Sequence, residues 1–370
     1  MRGSALKRRP AATELSSEGD GGAEDGEVTA RAASLHYVSD AAPGIRRVRR
    51  GRSFSYYGLQ DTLIRDEAER LRIRSLAIPP AWTDVWICAD SRGHLQATGR
   101  DSKGRKQYRY HIRWREARDE NKFGRLAEFA DALDKIRCQT ERDLARPGLP
   151  EEKVLAAVVQ LLEATLIRVG NDDYARDNGS FGLTTIRTRH VSLSGARIDF
   201  NFRGKSGKVH SIAVRERRLA NVVRRCRELP GHELFQYIGD DGTRHRIDST
   251  DVNEYLKSVS GKAFTAKDFR TWFGTVLTYE ALCHAGRFET EAAAKQNVVR
   301  AVAQVAERLG NTPAVCRKCY IHPAVIEGYL EGTAWQPLDE CSDAFEVGST
   351  RLSLSEAAVR ALLRHLGPRT

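Results

Sequence analysis

The main change in the hydrophobic periodicity of this chain lies near residue 115, and that change constrains its fold more than any other feature. Before it, short segments that alternate apolar and polar residues are separated by Gly, Asp and Ser: AWTDVWICAD, GHLQATGRD and RKQYRYHIRW. Alternation with period two indicates half-buried strands. After it, apolar residues recur at helical spacing, first at Leu126, Phe129, Leu133 and Ile136. The sequence therefore predicts an α+β protein, with a small antiparallel β-rich N-terminal domain and a mainly α-helical second domain.

Composition divides the chain into three parts. Residues 1–34 are poor in aromatic and branched side chains and rich in Gly, Ala, Ser and charge, so we expect a disordered tail. Residues 35–117 are predicted to form the β-rich domain, and residues 118–370 the helical one. Because both domains are long enough to bury a core, we expect each to fold as a compact unit.

The helical domain contains one predicted β-hairpin. Ile198, Phe200 and Phe202 alternate with polar residues, which is the pattern of a strand with one buried face. The segment GKSGK (204–208) follows directly, and its glycines and serine are typical of a tight turn. The sequence therefore predicts a hairpin whose tip carries Lys205.

Charge and cysteine content limit the class of protein. Sixty Lys and Arg residues against 49 Asp and Glu give a net charge of +11, which favours a polyanionic partner such as nucleic acid. The seven scattered cysteines fit reduced thiols better than a disulfide framework. No apolar run approaches the roughly 20 residues that a membrane span requires, and the first thirty residues lack the apolar centre of a signal peptide. We therefore expect an intracellular protein without a membrane partner.

The segment GRKQYRYHIRW interleaves aromatic and cationic side chains. On a strand, Tyr108 and Tyr110 lie on the same face because side chains alternate with period two. Aromatic rings among cations suit a surface that contacts the backbone and base edges of DNA. We predict that Arg105, Lys106, Gln107, Tyr108 and Tyr110 bind DNA; the alternative is two half-buried tyrosines on an ordinary sheet.

Four separated stretches of the helical domain carry the candidate catalytic side chains. LIRVGNDDY places Arg168 at the end of an amphipathic helix, and FRGKSGK places Lys205 at the hairpin tip. AKDFRTWFG contains Arg270, and LGNTPAVCRKCY brings Asn311 nine residues before Tyr320. These residue types suit phosphoryl transfer. Guanidinium groups bind phosphate oxygens through a planar fork, a lysine protonates a leaving oxygen, and an amide donates one further hydrogen bond.

Each of these residues also has a structural interpretation. An arginine near a helix end complements the helix dipole, a hairpin lysine is usually exposed, and a tyrosine usually packs. Asn311 is a candidate N-cap, with Pro313 in the first turn of the helix that leads to Tyr320. It is the joint occurrence of the five residues that favours catalysis.

Together with QYRY and IPPAW in the first domain, these stretches resemble the type IB DNA topoisomerases, specifically the compact branch shared by poxviruses and bacteria. The resemblance covers most of the chain after the tail. It implies that Tyr320 is the nucleophile, that Arg168, Lys205 and Arg270 are catalytic, and that Tyr108 and Tyr110 contact DNA. It also implies relaxation of supercoiled DNA by transient cleavage of one strand, through a 3′-phosphotyrosyl intermediate, strand rotation and religation.

One position departs from the poxvirus pattern. Poxvirus members usually have a histidine nine residues before the nucleophile, where this sequence has Asn311. Bacterial members are similar to this sequence at that point, so the resemblance implies that Asn311 contributes to the same site.

We expect neither a nucleotide nor a metal cofactor. The chain has no G-x-x-x-x-G-K-[ST] loop, and the arginines supply the electrostatic stabilisation that a metal ion supplies elsewhere. CRKC (316–319), with His322 and Cys341 as further ligands, is the alternative metal site. Because a structural zinc site normally needs two such cysteine pairs, a single one argues against zinc. The expected partner is double-stranded DNA, bound by a monomeric clamp at the nucleoid of a bacterial cytoplasm.

Two other functions remain open from the sequence. A tyrosine recombinase shares the same Arg–Lys–Arg–Tyr chemistry but joins strands between two duplexes. Recombinases normally keep histidines near the second arginine, and KDFRTWFG has none; the β-rich first domain also argues against this class. The third hypothesis is a catalytically silent DNA-binding relative that keeps only the basic surface.

Overall fold

The computed structural model describes residues 23–239, 241–333 and 351–365. Within these ranges the chain divides into two compact units on either side of the Lys122–Phe123 bond. The first unit is built around an antiparallel sheet and the second is mainly helical, so the predicted α+β class is confirmed. None of the helices in the described ranges combines the length and the apolar character that a membrane crossing requires.

Among the described residues, the first unit contains five strands and three helices. The strands are β1 (Ile45–Arg50), β2 (Ser53–Tyr57), β3 (Thr83–Ile87), β4 (Leu95–Arg100) and β5 (Lys106–Tyr110). They form one antiparallel sheet in the order β2-β1-β3-β4-β5. The helices are α1 (Ala23–Ala32), α2 (Glu67–Ser75) and α3 (Ile112–Gly124). The last residues of the RKQYRYHIRW segment, predicted as strand, therefore begin a helix.

The core of the sheet depends on the predicted alternation of side chains. Ile45, Val85, Ile87 and Ala97 pack together with Ile73 of α2. The IPPAW turn is fixed beside this core by an arginine. Arg47 donates hydrogen bonds to the carbonyl oxygens of Pro79 (3.1 Å) and Trp82 (2.7 Å). Arg47, one of the arginines of β1, therefore has a structural role.

Part of the segment predicted as a disordered tail, residues 23–32, is helical. Residues 1–22 lie outside the described residues, but α1 covers much of the remainder of the 1–34 segment. Ala30 and Leu35 are buried against Trp114 of α3, and Tyr37 packs on the same cluster. The prediction was wrong for residues 23–34 because one tertiary contact with a large indole stabilises a helix that composition alone does not favour.

In the part of the second unit that the structure describes lie the remaining α-helices and five short strands. The helices are α4 (Leu126–Leu144), α5 (Glu151–Thr165), α6 (Asp172–Asn178), α7 (Arg217–Glu228), α8 (Ser249–Ser260), α9 (Ala266–Ala285), α10 (Glu291–Leu309), α11 (Pro313–Tyr320), α12 (Pro323–Glu331) and α13 (Leu354–His365). The strands are β6 (Val191–Ser194), β7 (Arg197–Arg203), β8 (Val209–Arg215), β9 (Gln236–Ile238) and β10 (Arg244–Arg246). Strands β6, β7 and β8 form one antiparallel sheet, and β9 pairs with β10.

Helix α9 is the centre of this unit. It packs against α4, α5, α10, α11, α12 and α13. Its side chains Phe269, Trp272 and Tyr279 are almost completely buried. The apolar stripes predicted on α4 and α5 are buried as expected. Since Arg270 lies on the same central helix, its side chain is held by a rigid and well-packed element.

Candidate active site

Two candidate catalytic arginines and the predicted hairpin contact three consecutive residues at the end of α10: Leu309, Gly310 and Asn311. The helix ends in a Schellman motif, in which the N–H of Gly310 donates to Glu307 (3.0 Å) and the N–H of Asn311 donates to Ala306 (2.8 Å). Gly310 has a φ of +66°, a left-handed conformation that favours glycine. The motif fixes the position at which Asn311 leaves the helix.

Asn311 contacts Arg168 directly. The Nη2 atom of Arg168 donates a hydrogen bond to Oδ1 of Asn311 over 2.5 Å. This bond fixes the orientation of the amide, so that Nδ2 points away from the guanidinium. Nδ2 is buried and has no hydrogen-bond partner within the described part of the chain. Because an unsatisfied buried donor is unfavourable, this nitrogen is suited to receive an acceptor from a bound molecule.

The structure changes the predicted capping role of Asn311. The N-cap of α11 is Thr312, whose side chain accepts a hydrogen bond from the N–H of Val315 (3.3 Å), and Pro313 occupies the first helical position. Asn311 lies one residue too early to cap the helix, because Gly310 and Asn311 are both used to end α10. Its side chain is therefore directed to Arg168 instead.

Arg168 lies in a loop and not on a helix. Helix α5 ends at Thr165, and Leu166 follows in a left-handed conformation with φ of +56°. The backbone of the loop is held by the segment GLTT (182–185): the N–H of Leu183 donates to the carbonyl of Arg168 over 2.9 Å. The sequence prediction placed Arg168 at the helix end; the left-handed residue breaks the helix three residues earlier and turns the arginine toward Asn311.

Arg270 is the most buried of the candidate cations, with 4% of its surface exposed. Its Nη2 atom donates to the carbonyl of Leu309 (2.8 Å), and its Nη1 atom donates to the carbonyl of Leu166. These two carbonyls lie at the C-terminal ends of α10 and α5, where the helix dipoles concentrate negative charge. The two helix ends thus stabilise a cation in the interior.

Tyr320 is the last residue of α11 and is 5% exposed. Its ring centroid lies 5.0 Å from Cζ of Arg270, which is the geometry of a cation–π contact. Helices α9 and α11 approach closely here, because a Cβ atom at Gly274 would lie 2.5 Å from the carbonyl oxygen of Tyr320. Thr275 connects the two helices as well, by donating to that carbonyl (3.4 Å) and accepting from the N–H of His322 (3.1 Å).

The predicted hairpin is confirmed. Strands β7 and β8 pair from Arg197 opposite Arg215 to Arg203 opposite Val209, and the tip lies at residues 204–208. The N–H of Gly204 donates to the carbonyl of Lys208 (2.8 Å), which closes the tip. Lys205 is half-buried in this turn.

Sequence reasoning missed His210. The imidazole lies between two glycines: a Cβ atom at Gly204 would be 2.6 Å from its Nε2 and Cδ2 atoms, and a Cβ atom at Gly310 would be 2.7 Å from its Cε1 atom. It also stacks on Phe202, with ring centroids 5.1 Å apart. Burial, and then the positive charges of nearby Arg168, Lys208 and Arg270, hold the pKa of this imidazole below its usual range. The alternation of VHSIAV was the signal that would have placed His210 on the inner face of β8.

The alternative metal residues have separate structural roles. Cys316 is fully buried, and burial raises the pKa of its thiol to about 12. The side chain of His322 accepts a hydrogen bond from the N–H of Ala324 (3.1 Å) and caps α12. Cys341 lies outside the described residues. No group of three or more potential metal ligands occurs among the residues that the structure describes.

The candidate DNA-binding residues lie on or beside β5. Tyr108 and Tyr110 stack on the same face, with ring centroids 6.0 Å apart and an interplanar angle of 5°. Tyr110 also packs beside Trp114 (6.5 Å between centroids), so this tyrosine is part of an aromatic cluster. Tyr108 lies at the outer end of the stack. The alternative of a half-buried tyrosine on an ordinary sheet therefore applies in part to Tyr110.

The polar members of this strand are bound to nearby carboxylates. Arg105 forms an ion pair with Asp101 over 2.6 Å, and Nε2 of Gln107 donates to the same carboxylate over 3.0 Å. Lys106 pairs with Asp40 over 2.6 Å. Because side chains alternate on a strand, Lys106 shares a face with the tyrosines and Gln107 lies on the opposite face. The five predicted residues are thus neighbours in the chain but do not form one continuous surface.

A helical unit that gathers a phenol, two guanidinium groups, an amide and a hairpin lysine has the components needed to transfer a phosphodiester to a tyrosine. Comparison with known proteins agrees. Residues 111–335 match the family described as "Eukaryotic DNA topoisomerase I, catalytic core", and residues 53–101 match "Bacterial DNA topoisomerase IB, N-terminal domain".

Individual relatives agree with the family matches. The chain is 34% identical over 293 residues to "DNA topoisomerase 1B" of Acanthamoeba polyphaga mimivirus, which covers 77% of this chain and 87% of the relative. It is 24% identical over 264 residues to "DNA topoisomerase I" of Monkeypox virus, covering 69% of this chain and 80% of the relative. The chain belongs to the type IB DNA topoisomerases. The resemblance found in the sequence is confirmed; the protein is an isomerase that acts on DNA, and the recombinase alternative is not favoured.

Proposed function

We propose that Tyr320 is the nucleophile that cleaves one DNA strand and that the residues around Leu309, Gly310 and Asn311 hold the phosphate in place. The observation that carries this proposal is the connection of Arg168, Arg270 and the hairpin to these three consecutive residues, at the start of the segment that ends in Tyr320. A displacement of about 1 Å can slow a reaction as much as a hundredfold. Contacts to the same three residues therefore help to keep the catalytic groups in the geometry that cleavage requires.

Arg168, Arg270 and Asn311 stabilise the transition state in this proposal. Attack by the phenol oxygen gives a pentacoordinate phosphorus whose non-bridging oxygens carry negative charge. Guanidinium groups that are already positioned in a buried site stabilise that charge without reorganisation. The buried Nδ2 atom of Asn311 supplies one more donor. The arginines provide the electrostatic stabilisation, so we expect relaxation to proceed in the presence of a metal chelator.

Lys205 is the general acid. The bond that breaks joins phosphorus to the 5′-oxygen of deoxyribose, and that oxygen leaves as an alkoxide unless it receives a proton. Proton donation by a positioned side chain is worth roughly 10²–10⁴ in rate. The turn that carries Lys205 is closed by backbone hydrogen bonds at residues 204–208, so its position relative to β7 and β8 is defined.

Cleavage leaves a tyrosine ester at the 3′-phosphate and a free 5′-hydroxyl. The cleaved strand rotates about the intact one, which releases supercoils. The 5′-hydroxyl then attacks the phosphotyrosine and passes its proton to Lys205, which restores the DNA strand. The departing tyrosinate takes back from solvent the proton that the phenol released to solvent during cleavage. One phosphodiester is exchanged for another, so the cycle balances without ATP.

The first unit supplies part of the DNA-binding surface. Tyr108, at the outer end of its stack, and Lys106 on the same face are the residues of β5 best placed to contact a duplex. We infer that the two units bind opposite sides of the duplex as a monomeric clamp, with 35–117 and 118–370 as the functional domains. The bacterial character of the N-terminal match supports action at the nucleoid of a bacterial cytoplasm.

The nucleophile is tested with Tyr320→Phe in a plasmid relaxation assay without ATP and with chelator. The variant should form no covalent DNA adduct, while its DNA affinity stays close to that of the wild type because phosphate contacts dominate binding. Tyr237→Phe, on a strand of the same unit, is the control and should relax DNA normally. A covalent adduct formed by Tyr320→Phe would rule out this assignment.

The same assay separates the other functions. Relaxation with protein bound to a 3′ end supports the topoisomerase mechanism. Strands joined between two duplexes would support a recombinase, and a shifted but unrelaxed plasmid would support a silent DNA-binding protein.

The general acid is tested with Lys205→Ala and a substrate whose 5′-bridging oxygen is replaced by sulfur. A thiolate leaves without a proton because thiols are far more acidic than alcohols. Cleavage of the ordinary substrate should fall by roughly 10²–10⁴, and the sulfur substrate should restore most of the rate. If the variant stays slow on sulfur, Lys205 is not the acid.

The clamp is tested by hydroxyl-radical footprinting of the full-length protein on a short duplex. A clamp protects both strands around the whole circumference of the helix at the cleavage site. Protection confined to one side of the duplex would contradict it. Tyr108→Ala should remove only the part of the footprint that belongs to the first unit.

A further inference from the structure

His210 touches both the hairpin of Lys205 and the end of α10. Its ring lies against Gly204, directly before Lys205, and against Gly310, directly before Asn311. Neither glycine leaves room for a side chain, since an added Cβ atom would come within 2.7 Å of the imidazole at either place. The distance between the hairpin and the helix end is therefore set by the thickness of this ring.

The ring itself has a fixed orientation. His210 lies opposite Phe202 in the β7–β8 ladder, and the two rings stack at an interplanar angle of 14°. Phe202 is buried in the main core of the second unit. Because one face of the ring is held by the core, the ring also fixes where Gly204 and Gly310 lie relative to that core.

We propose that His210 is a positioning residue for DNA cleavage, which acts as a spacer that places Lys205 at the leaving 5′-oxygen. This inference rests on the proposed role of Lys205 as general acid. His210 itself neither attacks nor protonates the DNA in this proposal. It acts through the hairpin, so its removal affects only the step for which Lys205 is required.

The role as a spacer predicts a specific pattern of rates. His210→Ala leaves the hairpin without its contact to Gly310, so Lys205 is no longer held at the leaving oxygen. We expect cleavage of the ordinary substrate in a single turnover to slow by about tenfold to a hundredfold, the size of effect that a displacement of about 1 Å produces. DNA affinity should change little, because the ring makes no phosphate contact in the proposal.

The sulfur substrate distinguishes this role from a general loss of structure. Because a thiolate leaving group needs no proton, His210→Ala should cleave the 5′-bridging sulfur substrate at close to the wild-type rate. In the double variant Lys205→Ala, His210→Ala, the second substitution should add no further loss on the ordinary substrate. His245→Ala is a matched control, since His245 also stacks on an aromatic ring of a hairpin, Tyr237 at 5.2 Å. This control should behave like wild type on both substrates.

Each result decides the proposal. Normal cleavage by His210→Ala, or an equal loss on both substrates through unfolding or displacement of other groups, overturns it. If Lys205→Ala is not rescued by sulfur, the proposed acid is wrong. The double variant still reports then whether His210 acts through the lysine, because additive losses mean that it does not.

A second pair of variants tests the contact between His210 and Gly310 by changing the glycine instead of the histidine. Gly310→Ala adds a methyl group where the imidazole lies, at a helix C-cap with φ of +66°. Gly261→Ala is matched to it, since Gly261 caps α8 with φ of +72° and has open space around its Cα atom. Both variants should lose similar backbone stability, but only Gly310→Ala should slow cleavage of the ordinary substrate and recover on sulfur. Equal cleavage rates for the two variants would argue against the spacer.

Discussion

At the scale of single residues, the site depends on placing a guanidinium group in the interior. Burial of a charge is strongly unfavourable unless hydrogen bonds or an ion pair compensate for it. The buried guanidinium of Arg270 donates hydrogen bonds to the carbonyls of Leu166 and Leu309. Both are left without an intrahelical donor because they end their helices, so one cation satisfies two helix termini at once.

Arg270→Lys tests this arrangement. An ammonium group keeps the charge but cannot reach two carbonyls and a phosphate in a planar fork. We expect cleavage to fall by about 10²–10³, similar to the loss of one oxyanion donor, and one buried carbonyl to lose its partner at a cost of roughly 1–3 kcal/mol. Single-turnover cleavage and urea unfolding measure the two effects. A lysine variant with wild-type cleavage would show that the fork is unnecessary.

His210 makes the free energy of unfolding depend on pH, and the direction of that dependence follows from its lowered pKa. Its pKa is lowered in the folded protein by burial and by Arg168, Lys208 and Arg270, whereas the unfolded chain has an ordinary histidine. When pH falls through about 6.5, the unfolded chain binds the proton first, so stability falls. The contribution is fully present above that pH and is lost as pH approaches the lower value of the folded state.

The measurement compares urea unfolding of wild type and His210→Gln at pH 7.5 and pH 5.5. Since His111 and His190 also have pKa values lowered by burial, both proteins should lose stability in acid. The glutamine variant should lose less, by an amount bounded by about 1.4 kcal/mol per pH unit for one proton. If wild type and His210→Gln lose the same free energy of unfolding between pH 7.5 and pH 5.5, the pKa of His210 is not lowered in the folded protein.

Residue identity was easier to predict from the sequence than residue geometry. The motifs and the family resemblance named Arg168, Lys205, Arg270, Asn311 and Tyr320 as candidates. In the structure Arg168 bonds to Asn311, Arg270 bonds to Leu309, and the ring of Tyr320 lies against Arg270. His210 was missed because its importance lies in two glycines more than 100 residues apart, Gly204 and Gly310. Contacts across such separations leave no periodic pattern in a single sequence.

At the scale of secondary-structure elements, the position of the nucleophile depends on how closely α9 and α11 pack. Gly274 makes this approach possible, because its missing side chain lets the backbone of Tyr320 lie against α9. Thr275, the next residue, adds hydrogen bonds to the same turn. A helix of only eight residues such as α11 has little stability of its own, so this packing holds Tyr320 in place.

Gly274→Ala tests the packing, because helix propensity alone predicts the opposite sign. In a helix interior, Gly→Ala ordinarily stabilises by about 1 kcal/mol. Here the added methyl group would lie 2.5 Å from the carbonyl oxygen of Tyr320, and overpacking of this kind costs roughly 1–3 kcal/mol. We expect a lower free energy of unfolding and slower cleavage by this variant.

Gly124→Ala is the control for that experiment. Gly124 is the last residue of α3, and an added Cβ atom meets nothing within 4 Å. This substitution should be neutral or stabilising. If Gly274→Ala is also neutral in urea unfolding and cleaves normally, the close approach does not position Tyr320.

The elements themselves were predictable where one face is buried. The stripes of α4 and α5 and the alternation of β7 follow directly from the burial of one side. The sequence predictions were wrong at the ends of elements and in short elements. The exit of α5 before Arg168 depends on a left-handed Leu166, and α1 depends on a contact with Trp114. Neither has a local signal, because both are imposed by tertiary packing.

At the scale of the whole molecule, one buried ion network joins distant parts of the second unit. Arg137 of α4 donates to Glu356 of α13 through two bonds of 2.7 and 3.0 Å, and it pairs with Glu163 of α5 over 2.8 Å. The indole of Trp272, on α9, donates to the same Glu356 over 3.2 Å. The last described helix is thus tied to the helix that carries Arg270. This network has no local signal in the sequence, because its partners are up to 219 residues apart.

Glu356→Ala tests whether this network stabilises the catalytic unit. Removal of one partner leaves the buried guanidinium of Arg137 and the indole N–H of Trp272 short of an acceptor, which costs about 3–5 kcal/mol for a buried ion pair. The control is Glu128→Ala, because Glu128 pairs with Lys262 over 2.7 Å at the surface, where both side chains are about half exposed. Such a pair contributes less than about 1 kcal/mol. Urea unfolding of both variants should therefore differ by several kcal/mol, and similar values would mean that α13 is not held by this network.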